Sequence, residues 1–230
     1  SKIEVVTESI DIFRLQQDIA HQNGLKTTIQ MTYASLYNDE VINLAKKHNR
    51  EYGDEIGHTF LGVNCKEFRK KYNSKEPAIW LFPMDMKKKI VVDSFEHFKD
   101  IFGFYPTSTG SYFMDAELIN YIKEKYPMVK TAIATCFEEG PKVFRHTNYS
   151  WYTIMDGSPW TAWIPSKRNT HAIAENEEDD IGIVAVPHLS RDLLAIMDNP
   201  GTIFGTHPQN ILRGLIYEDV RIPYLYNLID

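Results

Sequence analysis

The stretch TTIQMTYASLYNDEVINLAKKHNREYGDEIGHTF, residues 27–60, decides the fold. Its opening, Thr27–Tyr33, has the length and the β-branched content of a strand. Asn38 or Asp39 can then cap a helix that keeps Val41, Ile42, Ala45 and His48 on one side. Gly53 ends that helix, because glycine accepts the left-handed terminal conformation at little cost. Glu55–Phe60 reads as the next strand. Strand, helix and strand joined by short loops form the unit from which parallel sheets with crossover helices are built.

The same alternation continues on both sides. Upstream, Ile3–Thr7 reads as a strand ending at Glu8, and Asp11 opens a helix with Ile12, Leu15 and Ile19 inward until Gly24 stops it. Downstream, Asn64–Pro77 is polar and basic, with Lys70, Lys71 and Lys75, and reads as a solvated insertion. From Lys87 a helix carries Val91, Phe95, Phe98 and Phe102 on one stripe and ends at Gly103. Phe104–Tyr112 follows as strand plus loop, and Asp115 caps a helix with Leu118, Ile119 and Ile122 inward. Val129–Phe137 is a buried-strand candidate before the acidic turn Glu138-Glu139-Gly140. His146–Pro165 reads as a long loop with short strands, and Glu175–Asp180 as a solvated turn. Ile181–Val186 and Thr202–Thr206 are the last strands. No repeat or linker interrupts the series, so residues 1–230 are expected to form one α/β domain of barrel type.

Bulk properties narrow the function. A net charge of −6 and a pI near 5.8 disfavour nucleic acid and anionic membranes as partners, since both require a basic face. No apolar run reaches the roughly 18 residues of a membrane span. Cys65 and Cys136 lack any metal-thiolate spacing. The 13 tyrosines, 12 phenylalanines and 4 tryptophans suit stacking on sugars and suit an ordinary core equally. The chain opens Ser-Lys-Ile-Glu without a leader, which reads as a processed or excised piece of a longer protein.

In a parallel barrel the reactive groups come from the loops that follow the strands. Those positions hold Glu8, Tyr33, His58, Ser108, Glu138, His188 and His207. Histidines and carboxylates together are the ligand types of a divalent metal with an open coordination position. Taken singly, His58, His188 and His207 each read either as a functional imidazole or as one bonded to a backbone carbonyl. His21, His48, His97, His146 and His171 fall at helix or loop positions and read as packing or surface residues. Trp151, Trp160 and Trp163 could wall a sugar subsite or fill a core. Ser108 and Ser111 lack a nucleophile elbow, and neither a dinucleotide loop nor a P-loop is present.

Gly53-Asp54-Glu55-Ile56-Gly57-His58-Thr59 is similar to the Gly-x-Glu-Ile-Gly-x-His-Thr segment of the polysaccharide deacetylase-like superfamily, the NodB-homology carbohydrate esterases. Ile203-Phe204-Gly205-Thr206-His207 resembles the family's late strand ending in histidine, and Phe104–Tyr112 its central strand and substrate loop. The resemblance implies a distorted (β/α)7 barrel, a zinc-like divalent metal, a carbohydrate substrate and removal of acetyl groups. By position it implies His58 as metal ligand with His188 as a replacement ligand, Glu8 as base and His207 as acid. Ser111, Tyr112, Trp151, Trp160 and Trp163 then contact the substrate. The family's second histidine falls on Gly62, and Thr7-Glu8-Ser9 holds no aspartate pair. Two other readings stand beside this one: a catalytically degenerate carbohydrate-binding barrel, and a glycosidase using Glu8 and Glu138 across a cleft of roughly 5–10 Å. A polysaccharide substrate implies extracellular or envelope work.

Overall fold

The computed structural model describes residues 10–60, 65–73, 79–111, 114–136, 143–146, 149–152 and 161–188. The elements alternate as expected: α1 (Ile10–Gln22), β1 (Thr28–Met31), α2 (Asp39–Tyr52), β2 (Glu55–Thr59), α3 (Lys66–Tyr72), α4 (Met84–Phe102), β3 (Ser108–Gly110), α5 (Ala116–Lys125) and β4 (Thr131–Cys136). A two-stranded antiparallel ribbon, β5 (Val143–His146) with β6 (Tyr149–Tyr152), precedes β7 (Val184–His188). The strands expected at Ile3–Thr7 and Thr202–Thr206 lie outside the described residues.

The main sheet has the order β1-β2-β3-β4-β7, and every neighbouring pair is parallel. Each new strand joins the same edge, so right-handed crossovers carry the helices to one face of the sheet. That is barrel-like winding, in contrast to the reversal of strand order in doubly wound sheets. Packing agrees with it. Ile29, Met31 and Ile56 cluster with Ile42 and Ala45 of α2 and Phe98 of α4, and Ala132 joins Phe95, Leu118, Ile119 and Ile122.

Register separates the two faces of the sheet. Met31, His58, Thr109, Ala132 and Ala185 form one row of partners, and all are buried on the helix side. On the opposite face Gln30 lies beside Gly57, and the Gln30 amide donates across it to Ser108 Oγ at 2.9 Å. Gly57 makes that reach possible. A Cβ at Gly57 would collide with Ser108 Oγ and lie 2.5 Å from Gln30 Nε2.

The helix ends follow their sequence signals. Asn38 Oδ1 accepts from the Glu40 and Val41 amides, Gly53 closes α2 at φ 74°, and Asp115 accepts from the Leu118 amide. Two expectations fail. Leu15 and Ile19 of α1 are 58% and 50% exposed, while Gln17 is buried and accepts a hydrogen bond from the Thr27 hydroxyl. That bond, at 2.7 Å, seats the polar side of α1 on the turn into β1. The basic stretch after Asn64 is no mere solvated insertion, because it contains α3, whose Phe68 and Tyr72 enter the main core. Its lysines are the outer face of an amphipathic helix.

Candidate functional site

Among the described residues, the strand C-termini hold fewer reactive groups than their sequence suggests. His58 sits on the helix side of β2, fully buried, with its ring centroid 4.8 Å from Phe60, 5.7 Å from Phe95 and 6.4 Å from Phe98. Its Nδ1–H donates to the Met31 carbonyl at 2.6 Å, and its buried Nε2 has no hydrogen-bond partner. Burial lowers its pKa to about 4, so the ring is neutral at ordinary pH. Relative to the resembled segment, one residue is missing between Gly57 and His58. Along an extended strand, one residue is the difference between facing inward and facing the helices.

Tyr33, just beyond β1, is buried, and burial together with the Tyr37 hydroxyl pushes its pKa far up, leaving it a neutral phenol. Ser108 opens β3, so it lies below the rim on the inner face. Ser111 is 1% exposed, its amide bonds the Ile133 carbonyl, and its Oγ is unpartnered. Trp163 is buried and its Nε1–H donates to the Thr170 carbonyl at 3.0 Å, which serves loop packing more than ring stacking on a ligand. Trp151 lies on β6 opposite Phe144, and His188 ends β7 opposite Cys136. Glu8, Tyr112, Glu138, Trp160 and His207 lie outside the described residues. A cavity of about 350 Å³ runs along the outer edge of β1, between Phe13 and Gln17 on one side and Thr28, Gln30 and Thr32 on the other. Among the described residues, no titratable side chain lines it.

The titratable groups that do converge lie at the opposite end of the sheet. His21 in the last turn of α1, His48 near the end of α2 and Asp54 just before β2 form a partial cluster that could coordinate a metal, with one donor atom from each all within 4.8 Å. The side chains of His21 and Asp54 are 5% and 0% exposed. His21 Nε2 meets Asp54 Oδ2 at 2.8 Å, while Asp54 Oδ1 accepts the Thr27 amide at 2.9 Å. Burial works to raise the Asp54 pKa, but the hydrogen bonds from Thr27 and His21 outweigh it and leave the carboxyl below its ordinary value. His48 is shifted down, first by burial and then by His21 beside it. His21 stacks on Tyr52 at 3.7 Å, and His48 lies 5.0 Å from His21 and 5.6 Å from Tyr52, so the three rings form one cluster.

By sequence pattern alone, His21 and His48 read as packing or surface residues. The available signal is that both lie near the C-terminal ends of consecutive helices, which must end at the same rim of a parallel sheet.

No protein-family model matches the chain, and no curated protein does. Among solved structures it is similar to one described as a "putative glycoside hydrolase/deacetylase" from Parabacteroides distasonis, with a TM-score of 0.59 and 16% identity. The match covers 81% of this chain and 39% of that one, so the chain spans about two fifths of that protein's length. The likeness establishes a shared α/β fold.

Proposed function

We propose that this chain is a carbohydrate-directed hydrolase of the deacetylase type, working at the C-terminal ends of its parallel strands. The observation that carries this reading is the match of four fifths of the chain to the glycoside hydrolase/deacetylase fold, with strands wound in barrel order. In this reading the strands expected at Ile3–Thr7 and Thr202–Thr206 bring the described five to the seven of a distorted barrel spanning residues 1–230 as one domain of a longer protein. Water adds to the acetyl carbonyl as Glu8 takes its proton. The C–N or C–O bond then breaks as His207 protonates the departing atom. Tyr112, Trp151 and Trp160 border the sugar, while the buried Ser111 and Trp163 support that wall from behind. His58, facing the helices with Nδ1 spent on a carbonyl, does not fit a metal ligand as placed. A divalent metal at this rim therefore rests on His188 and on residues outside those described. A polysaccharide substrate sets the work outside the cell or in its envelope.

Acetate release from N- and O-acetylated sugars tests the proposal. Glu8→Gln and His207→Ala should each reduce it by about a hundredfold or more. Absence of release from every acetylated glycan, with and without added divalent metal, ends this reading.

The orientation of His58 favours a second reading, a glycan-binding barrel that has lost hydrolysis. Glycan binding that survives chelator and His58→Ala, but is lost in Trp160→Ala, would establish it.

A further inference from the structure

The His21, His48 and Asp54 cluster stands apart from the rim to which the hydrolase reading assigns chemistry. It sits where α1 and α2 end and β2 begins. Three features favour a cation there. The ring nitrogens His21 Nδ1 and His48 Nδ1 are buried and have no hydrogen-bond partner. The Asp54 carboxylate is fully buried and is positioned by the Thr27 amide and His21. The C-terminal ends of two helices approach the site, and the aligned peptide dipoles of each favour positive charge there.

We propose that His21, His48 and Asp54 bind a zinc-like divalent cation that ties α1 and α2 to the start of β2, a structural site separate from the hydrolytic rim. The metal enters between His21 Nε2 and Asp54 Oδ2, whose 2.8 Å separation widens by about 0.5 Å to the roughly 3.3 Å between two ligands of a tetrahedral zinc. The proton on His21 Nε2 passes to the unpartnered Nδ1 of the same ring, so His21 binds as a neutral imidazole while the metal–nitrogen and metal–oxygen bonds form. His48 completes the set by turning its ring. In the stacked arrangement the imidazole planes differ by 28° at 5.0 Å, so they meet far outside the roughly 2 Å reach of a zinc–nitrogen bond. Its Nδ1 makes no hydrogen bond that this turn must break.

The test uses the full chain, stripped with chelator and titrated with Zn²⁺ or Co²⁺. One equivalent should bind, Co²⁺ should develop the visible absorption of a tetrahedral site, and excess Zn²⁺ should raise Tm by roughly 5–10 °C at a hundredfold excess over Kd. His48→Ala and His21→Ala should each weaken this binding by at least about a hundredfold, since loss of a ligand costs more than loss of a residue supporting one. His188→Ala should leave that equivalent in place. Asp54→Asn serves as a third variant if its circular dichroism matches the parent. The site is overturned if no equivalent binds, or if binding persists unchanged in both His21→Ala and His48→Ala. Because the readout is metal uptake, its outcome is independent of whether any glycan is hydrolysed.

Discussion

The two ends of β2, a strand of five residues, have opposite characters. At the N-terminal end, Asp54 gathers the Thr27 amide and His21, and its own carbonyl accepts from the Asn49 amide at 2.6 Å. At the C-terminal end, His58 turns its ring into phenylalanines, while Gly57 leaves the inner face to Gln30 and Ser108. Barrel chemistry belongs at strand C-termini, whereas the opposite rim usually serves stability. Here the described titratable cluster occupies the stability rim. A histidine after a strand therefore indicates a site only when its register faces the interior, and ionisable groups at the other rim can be equally well assembled.

The sharpest way to break this contrast is to fill Gly57. Gly57→Val should destabilise the chain by about 3 kcal/mol or more, because the new side chain has no space between Gln30 and Ser108. A urea midpoint equal to that of the parent would show that the inner face is not closed over Gly57.

Acid titration separates the two ends further. The folded His58 pKa, about 4, lies below the unfolded value, so its share of stability is full above pH 6.5 and is lost as pH falls towards 4. That share is about 3 kcal/mol. In His58→Leu the slope of stability against pH between 6.5 and 4 should flatten accordingly, and an unchanged slope would contradict the buried neutral ring. Asp54 loses stability in the same direction but in a lower pH window. Its folded pKa is depressed, so its contribution is intact above the ordinary carboxylate range and disappears as pH falls below it.

Asp54→Ala strands the Thr27 amide and removes the partner of His21, and should cost about 2 kcal/mol in denaturant melts at pH 7. The smallest effect concerns α2, which spans both rims with Asn38 at one end and His48 near the other. Asn38→Ala removes the cap to the Glu40 and Val41 amides and should cost about 1 kcal/mol, without altering metal uptake at the far end. A change in that uptake would mean that the two ends of the helix are coupled.

Much of this architecture is readable from local chemistry. Apolar residues at helical spacing identify the inward faces of α4 and α5, where Val91, Phe95, Phe98, Leu118, Ile119 and Ile122 are all buried. Asn38, Gly53 and Asp115 mark their helix ends because capping depends only on neighbouring backbone groups. The stripe on α1 misled, since Leu15 and Ile19 have helical spacing but the turn into β1 draws Gln17 inward.

The sequence by itself determined the alternation of strands and helices and therefore the parallel sheet, because periodicity and caps act within a few residues. Only the tertiary structure decided what the histidines do. The face taken by His58 depends on strand register, and a single residue reverses it. The meeting of His21 with Asp54 spans 33 positions and requires two helices to end at the same rim. Local pattern carries no information about such a distance, whereas packing of the crossover helices on one face of the sheet supplies it.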